Sequence, residues 1–228
     1  MKSKVIYCFF AIILLIPLSS IAAESDNTNP DPYWYASLGS GTAYNVPMPL
    51  TIHTSGNPDI HMNGARYETR PFQESGYYLY RIGHRDNHNG WEVEFVHHKL
   101  YLVSEDPNIQ HFEITHGYNL LSLNRLNELE WGKIQLRYGV GVVIAHPETT
   151  IYNQSFSQTG GLFSDGYFVS GGVVSLGVGR QFDLSKQFYL EADSKLYLSY
   201  SQVPVAHGYA EVSHASFNFN LMAGFRFR

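Results

Sequence analysis

Long stretches of strict two-residue alternation, concentrated in the C-terminal half, limit what this chain can fold into. Within residues 133–144, one parity carries Ile134, Leu136, Tyr138, Val140, Val142 and Ile144. The other carries Lys133, Gln135, Arg137, Gly139, Gly141 and Val143. Successive side chains of a β-strand point to opposite faces, so this segment has one apolar face and one polar, small-residue face. The pattern recurs elsewhere. Tyr78, Tyr80 and Ile82 alternate with Leu79 and Arg81, with Arg85 on the latter face. Trp91, Val93 and Phe95 alternate with Glu92 and Glu94. Phe112, Ile114, Tyr118 and Leu120 oppose His111, Glu113, Thr115 and Asn119. Phe188, Leu190, Ala192, Leu196 and Leu198 oppose Glu191, Asp193 and Lys195. Phe217, Phe219, Leu221, Ala223, Phe225 and Phe227 oppose Asn218, Asn220, Gly224 and Arg226. A helical period would scramble each of these sets.

Eight strands are predicted on this basis, at 33–44, 76–85, 91–102, 109–123, 131–146, 166–180, 187–201 and 208–227. Asp86-Asn87-His88-Asn89-Gly90 reads as a tight hairpin turn. Residues 45–75, with four prolines and poor periodicity, read as one long loop, with a short strand at 61–69 at most. Residues 147–165 read as a second long loop, and 124–130 as a short polar link or one helical turn.

The first residues read as a targeting segment. Lys2 and Lys4 precede a nearly unbroken apolar run from Val5 to Pro17, and Ser19-Ser20-Ile21-Ala22-Ala23 supplies small residues for cleavage. Residues 1–23 are therefore a signal peptide and 24–32 a flexible lead-in. Removing the peptide takes away two lysines and no acid, so the formal charge moves from -5 to -7. A nucleic-acid partner, which requires a basic patch, is excluded. The only cysteine, Cys8, leaves with the signal, so disulfides and thiolate metal sites are excluded from the mature chain.

No apolar run after residue 23 is long enough for a spanning helix, which needs about 20 residues. A spanning barrel needs only every second residue to face lipid. The ionised side chains decide which face is outside. The polar faces carry Arg81, Arg85, Glu92, Glu94, Glu113, Lys133, Arg137, Glu191, Asp193, Lys195 and Arg226. Both signs on neighbouring strands can pair inside a narrow barrel, and unpaired they would carry a large desolvation cost. The expected fold is all-β, a single eight-stranded antiparallel up-and-down transmembrane β-barrel with a packed polar interior, covering 33–228. Tyr33, Trp34, Trp91, Trp131, Tyr167 and Phe227 would form interfacial girdles. Lys99 and Glu211 fall on the lipid parity and are expected beyond the apolar band, near the outer rim.

With this pattern the chain resembles the small eight-stranded outer-membrane barrels of the OmpA/OmpX type. The sharpest local element is the closing strand, Phe217-Asn-Phe-Asn-Leu-Met-Ala-Gly-Phe-Arg-Phe-Arg228. The family ends on an aromatic strand recognised by the barrel-insertion machinery; here Phe227 is penultimate and Arg228 follows. The resemblance implies an outer-membrane location, with outer-membrane lipid and lipopolysaccharide as neighbours. With the N-terminus in the periplasm, both long loops fall outside, where 45–75 and 147–165 can meet a surface ligand.

A weaker similarity concerns His214-Ala215-Ser216, which matches the His-x-Ser of the outer-membrane lipid A 3-O-deacylases, with Phe217 where that motif has Asn. It implies His214 as base and Ser216 as nucleophile, given a third group to orient the imidazole. Glu191 or Glu113 would have to serve. No HExxH motif or Cys/His cluster is present, and adjacent His97 and His98 point to opposite faces. With His111, His116 and His146 scattered, neither a metal nor another cofactor is expected. The reading that follows is a non-enzymatic structural or surface-interaction role. The alternatives are a lipid A-modifying hydrolase using His214 and Ser216, or a narrow small-solute channel lined by the charge network.

Overall fold

The computed structural model describes residues 31–73, 75–129, 134–157 and 160–228. The expected signal peptide, Trp131 and Lys133 lie outside the described residues. Among the described residues thirteen strands follow one another. They are β1 (Tyr33–Val46), β2 (Met48–Thr54), β3 (Ile60–Ala65), β4 (Tyr67–Glu68), β5 (Tyr78–Asp86), β6 (Asn89–Leu102), β7 (Ile109–Leu129), β8 (Ile134–Ala145), β9 (Glu148–Ile151), β10 (Gln154–Ser155), β11 (Phe168–Asp183), β12 (Phe188–Val205) and β13 (Gly208–Phe227).

Eight of these close a ring. β1 pairs with β5, then come β6, β7, β8, β11, β12 and β13, and β13 returns to β1. Every neighbouring pair is antiparallel, so the ring closes without an open edge strand. The alternation drives this closure. Val140 (65 % exposed), Leu176 (54 %) and Leu221 (72 %) face outward, while Arg137, Ser175 and Asn220 on the other parity are buried within.

The outward apolar row on β13 runs from Phe217 to Phe227. Ten residue steps at about 3.3 Å, tilted about 40°, span about 25 Å, the height of an outer-membrane apolar band. At the end holding Tyr33 and Phe227, Trp34 and Trp91 meet edge to face at 5.4 Å, and the tilted rings of Phe188 and Phe225 lie 5.0 Å apart. Toward the opposite end the exterior carries Tyr44, Tyr80 and Tyr200. The barrel exterior is thus a greasy belt between aromatic rims.

Beyond the second rim the strands continue, and here the sequence reading needs correction. Residues 45–75 are not one loop. β2 joins the edge of β13 and β3 joins β2, so β12, β13, β2 and β3 form one sheet. Residues 147–165 are not plain loop either: β9 pairs with β7 and β10 with β9, while β4 pairs with β6. Two sheets face each other over Leu50, Ile52, Ile60, Leu100, Phe112, Ile114, Ile151, Val203, Val205, Ala210 and Val212, all buried. Each such Leu, Ile, Val or Phe side chain stabilises by about 1.5–3 kcal/mol when removed from water. Leu50 and Ile52 do alternate with Thr51 and His53, but the prolines hide it. Pro49 sits where the β2–β3 register slips, a place that tolerates a missing N–H.

β7 supplies two more corrections. It runs unbroken to Leu129, so 124–129 is strand and not a link. Its parity is also inverted relative to the expectation. Phe112, Ile114, Tyr118 and Leu120 point inward, and Leu121 and Leu123 face out. The apolar residues of its upper half fill the extension core, so the greasiest face there is the inner one. Glu211 lies in the extension, opposite Thr51 of β2 and Gln202 of β12. Lys99 does not reach the rim surface; it is fully buried, with its ammonium donating to the Gln73 carbonyl.

Candidate functional site in the barrel interior

The interior has three layers, built from the inward parity of the ring strands. Nearest the chain termini, Arg226 of β13 donates to Asp183 (2.6 Å) and Gln181 (3.0 Å), and Arg85 of β5 lies 3.5 Å from Glu128. Next comes a dense ionic layer. Arg81 Nε donates to Glu94 Oε2 at 2.7 Å, Nη1 to Glu191 Oε1 at 2.7 Å, and Nη2 to Asp193. Arg137 Nη2 reaches the same Glu191 oxygen at 2.7 Å, and its Nε lies 3.3 Å from Glu92. Lys195 donates to Glu94 Oε1 at 2.6 Å, as does the Tyr197 hydroxyl at 2.8 Å. Tyr35 donates to Glu92, and Asn124 and Asn220 donate to Glu92 and Asp193.

Among the described residues this layer joins four carboxylates and three cations, all buried. Charges so far from water hold only when each is paired and its remaining lone pairs are bonded. The neutral donors from Tyr35, Tyr197, Asn124 and Asn220 supply that completion. They come from four different strands, which fixes the strands in register around the layer.

Of the sequence-named residues, the structure brings together Arg81, Glu92, Glu94, Arg137, Glu191, Asp193 and Lys195. Arg85 and Arg226 form separate pairs nearer the termini. Glu113 does not join the network and needs correction. It lies in the extension, 3.8 Å from His111 and opposite Glu148 of β9. The extra length of β7 carries it past the barrel.

The third layer lies between the ions and the extension core. Asn45, at the end of β1, is its centre. Its Oδ1 accepts from His214 Nε2 at 2.9 Å and His98 Nε2 at 3.0 Å, which places the imidazole protons on Nε2. Its amide nitrogen donates to Thr69 Oγ1 at 2.9 Å and to the Tyr67 carbonyl at 3.2 Å. The Tyr118 hydroxyl meets Ser199 and Ser201, both at 3.0 Å. Sequence reasoning placed Asn45 at the start of a long loop, read His98 only as one of several scattered histidines and put Tyr118 on the apolar face of its strand. Their one visible signal is shared parity, and the long loop assigned to 45–75 concealed Asn45.

The pair proposed for catalysis is not assembled. His214 turns to Asn45 and, through Nδ1, to Ser199 at 3.4 Å; no carboxylate bonds it. Ser216 Oγ is fully buried and has no hydrogen-bond partner. A nucleophile needs a bonded base and an approach for substrate, and this hydroxyl has neither. Ser216→Ala removes an unpaired buried hydroxyl, so stability is expected to stay level or rise by up to about 1 kcal/mol. Denaturant titration of the folded variant checks this, and a loss beyond that size contradicts the assignment.

The architecture and its contents define a class: an eight-stranded antiparallel transmembrane β-barrel with a packed, mostly polar interior. No family model matches the chain, and no curated protein matches it. Solved structures similar to it include Ail, the attachment invasion locus protein of Yersinia pestis, at 14 % identity over 87 % of this chain and 100 % of that chain, with a TM-score of 0.41. Neisserial surface protein A aligns at 11 % identity over 86 % of this chain and 97 % of that one, with a TM-score of 0.39. The outer membrane protein OprG from Pseudomonas aeruginosa aligns at 11 % identity over 88 % and 97 %, with a TM-score of 0.33.

Proposed function

We propose that this protein is an outer-membrane barrel with a non-enzymatic structural or surface-interaction role. In this reading residues 1–23 direct export and are removed, and the barrel-insertion machinery acts on the C-terminal aromatic strand. Both termini face the periplasm, and the extension of paired strands stands outside among lipopolysaccharide headgroups. One observation carries the reading: among the described residues, buried side chains line the interior at both its lower and its upper levels. Ion pairs occupy its lower half, and a Leu/Ile/Val/Phe core occupies its upper part. A conducting path would have to break buried charge pairs, and a hydrolase would need an open approach to His214. The extension, held by its own core, offers a paired-strand surface where the sequence suggested long loops.

The expected result in planar bilayers follows. The folded mature chain inserts without producing discrete conductance steps at moderate voltage. Regular steps that disappear on substitution of Arg81 or Glu94 would instead establish a pore through the ionic layer.

A further inference from the structure

β7 carries a bulge whose consequence reaches beyond the fold. Glu113 pairs with Glu148 and Tyr118 with Ala145, so β7 spends five residue steps where its partners spend three. Gly117 absorbs the excess at φ +132, a conformation L side chains rarely adopt, and a Cβ there would lie 2.3 Å from the Asn119 amide. In a regular strand, neighbours such as Thr115 and His116 point to opposite faces. The bulge re-aims them. Both side chains now meet one carboxylate oxygen: Thr115 Oγ1 donates to Glu148 Oε1 at 2.7 Å, and His116 Nδ1 bonds the same atom.

His146, just past the end of β8, completes a trio. Its ring lies 5.1 Å from that of His116 and 4.8 Å from that of Tyr167. It is 7 % exposed, and its Nδ1 is buried without a hydrogen-bond partner. One ligand atom from each of His116, His146 and Glu148 lies within 4.8 Å of the others.

We propose that His116, His146 and Glu148 form a binding site for a divalent first-row transition ion of the zinc, cobalt or nickel kind. Two imidazoles and one carboxylate match the donor set of such ions, and calcium or magnesium would require more oxygens. Tetrahedral ligands at about 2.1 Å from a metal lie about 3.4 Å apart. The remaining contraction falls on His116, whose half-exposed side chain would exchange its bond to Glu148 for the ion. Three protein ligands leave a fourth position open. Beside it runs a groove of about 330 Å³, lined by Tyr78, Phe95, His97, Ile144, Phe163 and Tyr167.

The test uses the whole mature chain folded in detergent micelles. Zinc is titrated by calorimetry, and cobalt is followed by its visible ligand-field absorption. One equivalent is expected to bind, with a spectrum of mixed nitrogen and oxygen ligation. H116A and E148Q are each expected to weaken binding at least tenfold. H111A, an exposed histidine beside Glu113, is expected to leave it unchanged. Folding of each variant is checked by heat-modifiable gel migration. The site is overturned by three results: no saturable binding, equal binding in all variants, or failure of H116A and E148Q to fold, which would make the trio a structural contact.

Discussion

Arg81→Ala is expected to cost about 3–5 kcal/mol of folding stability, the size found when one partner of a buried ion pair is removed. The physical reason is crowding of like charge. Arg81 is 2 % exposed and sits among Glu92, Glu94, Glu191 and Asp193. Without its guanidinium, four buried carboxylates face only Arg137 and Lys195 among the described residues. Adding Asp193→Asn to the Arg81→Ala chain removes one uncompensated charge and should recover part of the loss. Urea unfolding in vesicles measures both. A single variant within about 1 kcal/mol of the parent would mean that the ionic layer does not hold the barrel together.

Leu176→Arg should be the largest effect on the outer face. Leu176 lies mid-strand on β11, between Tyr138 of β8 and Leu196 of β12, with its side chain pointing outward. An arginine at the midplane of a bilayer costs about 2–4 kcal/mol, falling to about 0–1 near the interface. Leu184 is equally apolar and more exposed, but it sits in the turn between β11 and β12. Leu184→Arg is therefore expected to be close to neutral. Folding titrations in the same vesicles compare them. Equal costs at the two depths would argue that no lipid touches Leu176.

How far the sequence could be read depends on which residues face what. Where strands span the greasy belt, each inward position meets ions and each outward one meets lipid. The two parities of β5, β6, β8, β12 and β13 therefore differ in chemistry and were legible. In the extension the inner face is as apolar as the outer face of the barrel. Phe112 and Ile114 were consequently assigned to lipid although they fill a protein core. Prolines 47, 49 and 58 mark bulges and ends of β2 and β3, yet in sequence they read as loop.

The site followed the same division. Arg81, Glu94 and Asp193 announced themselves as charges on a strand face. Asn45 carries no charge, and its centrality comes from two histidines more than fifty residues away. His116, His146 and Glu148 were illegible for a different reason. Their spacing fits no metal motif, and only the bulge at Gly117 lets two neighbours in sequence serve one oxygen.

Lipid exposure at adjacent positions tests the central claim most directly. Cys8 is the only cysteine of the sequence, so a chain begun at residue 24 carries none and single cysteines can be placed without background. Leu176→Cys and Leu198→Cys face outward, and Ser175→Cys and Ser199→Cys face the interior. With a fluorophore on each and a quencher carried on lipid acyl chains, the account predicts strong quenching at 176 and 198 and little at 175 and 199. Quenching that favours 175 and 199, or fails at all four, would contradict a barrel that turns its apolar face to the bilayer.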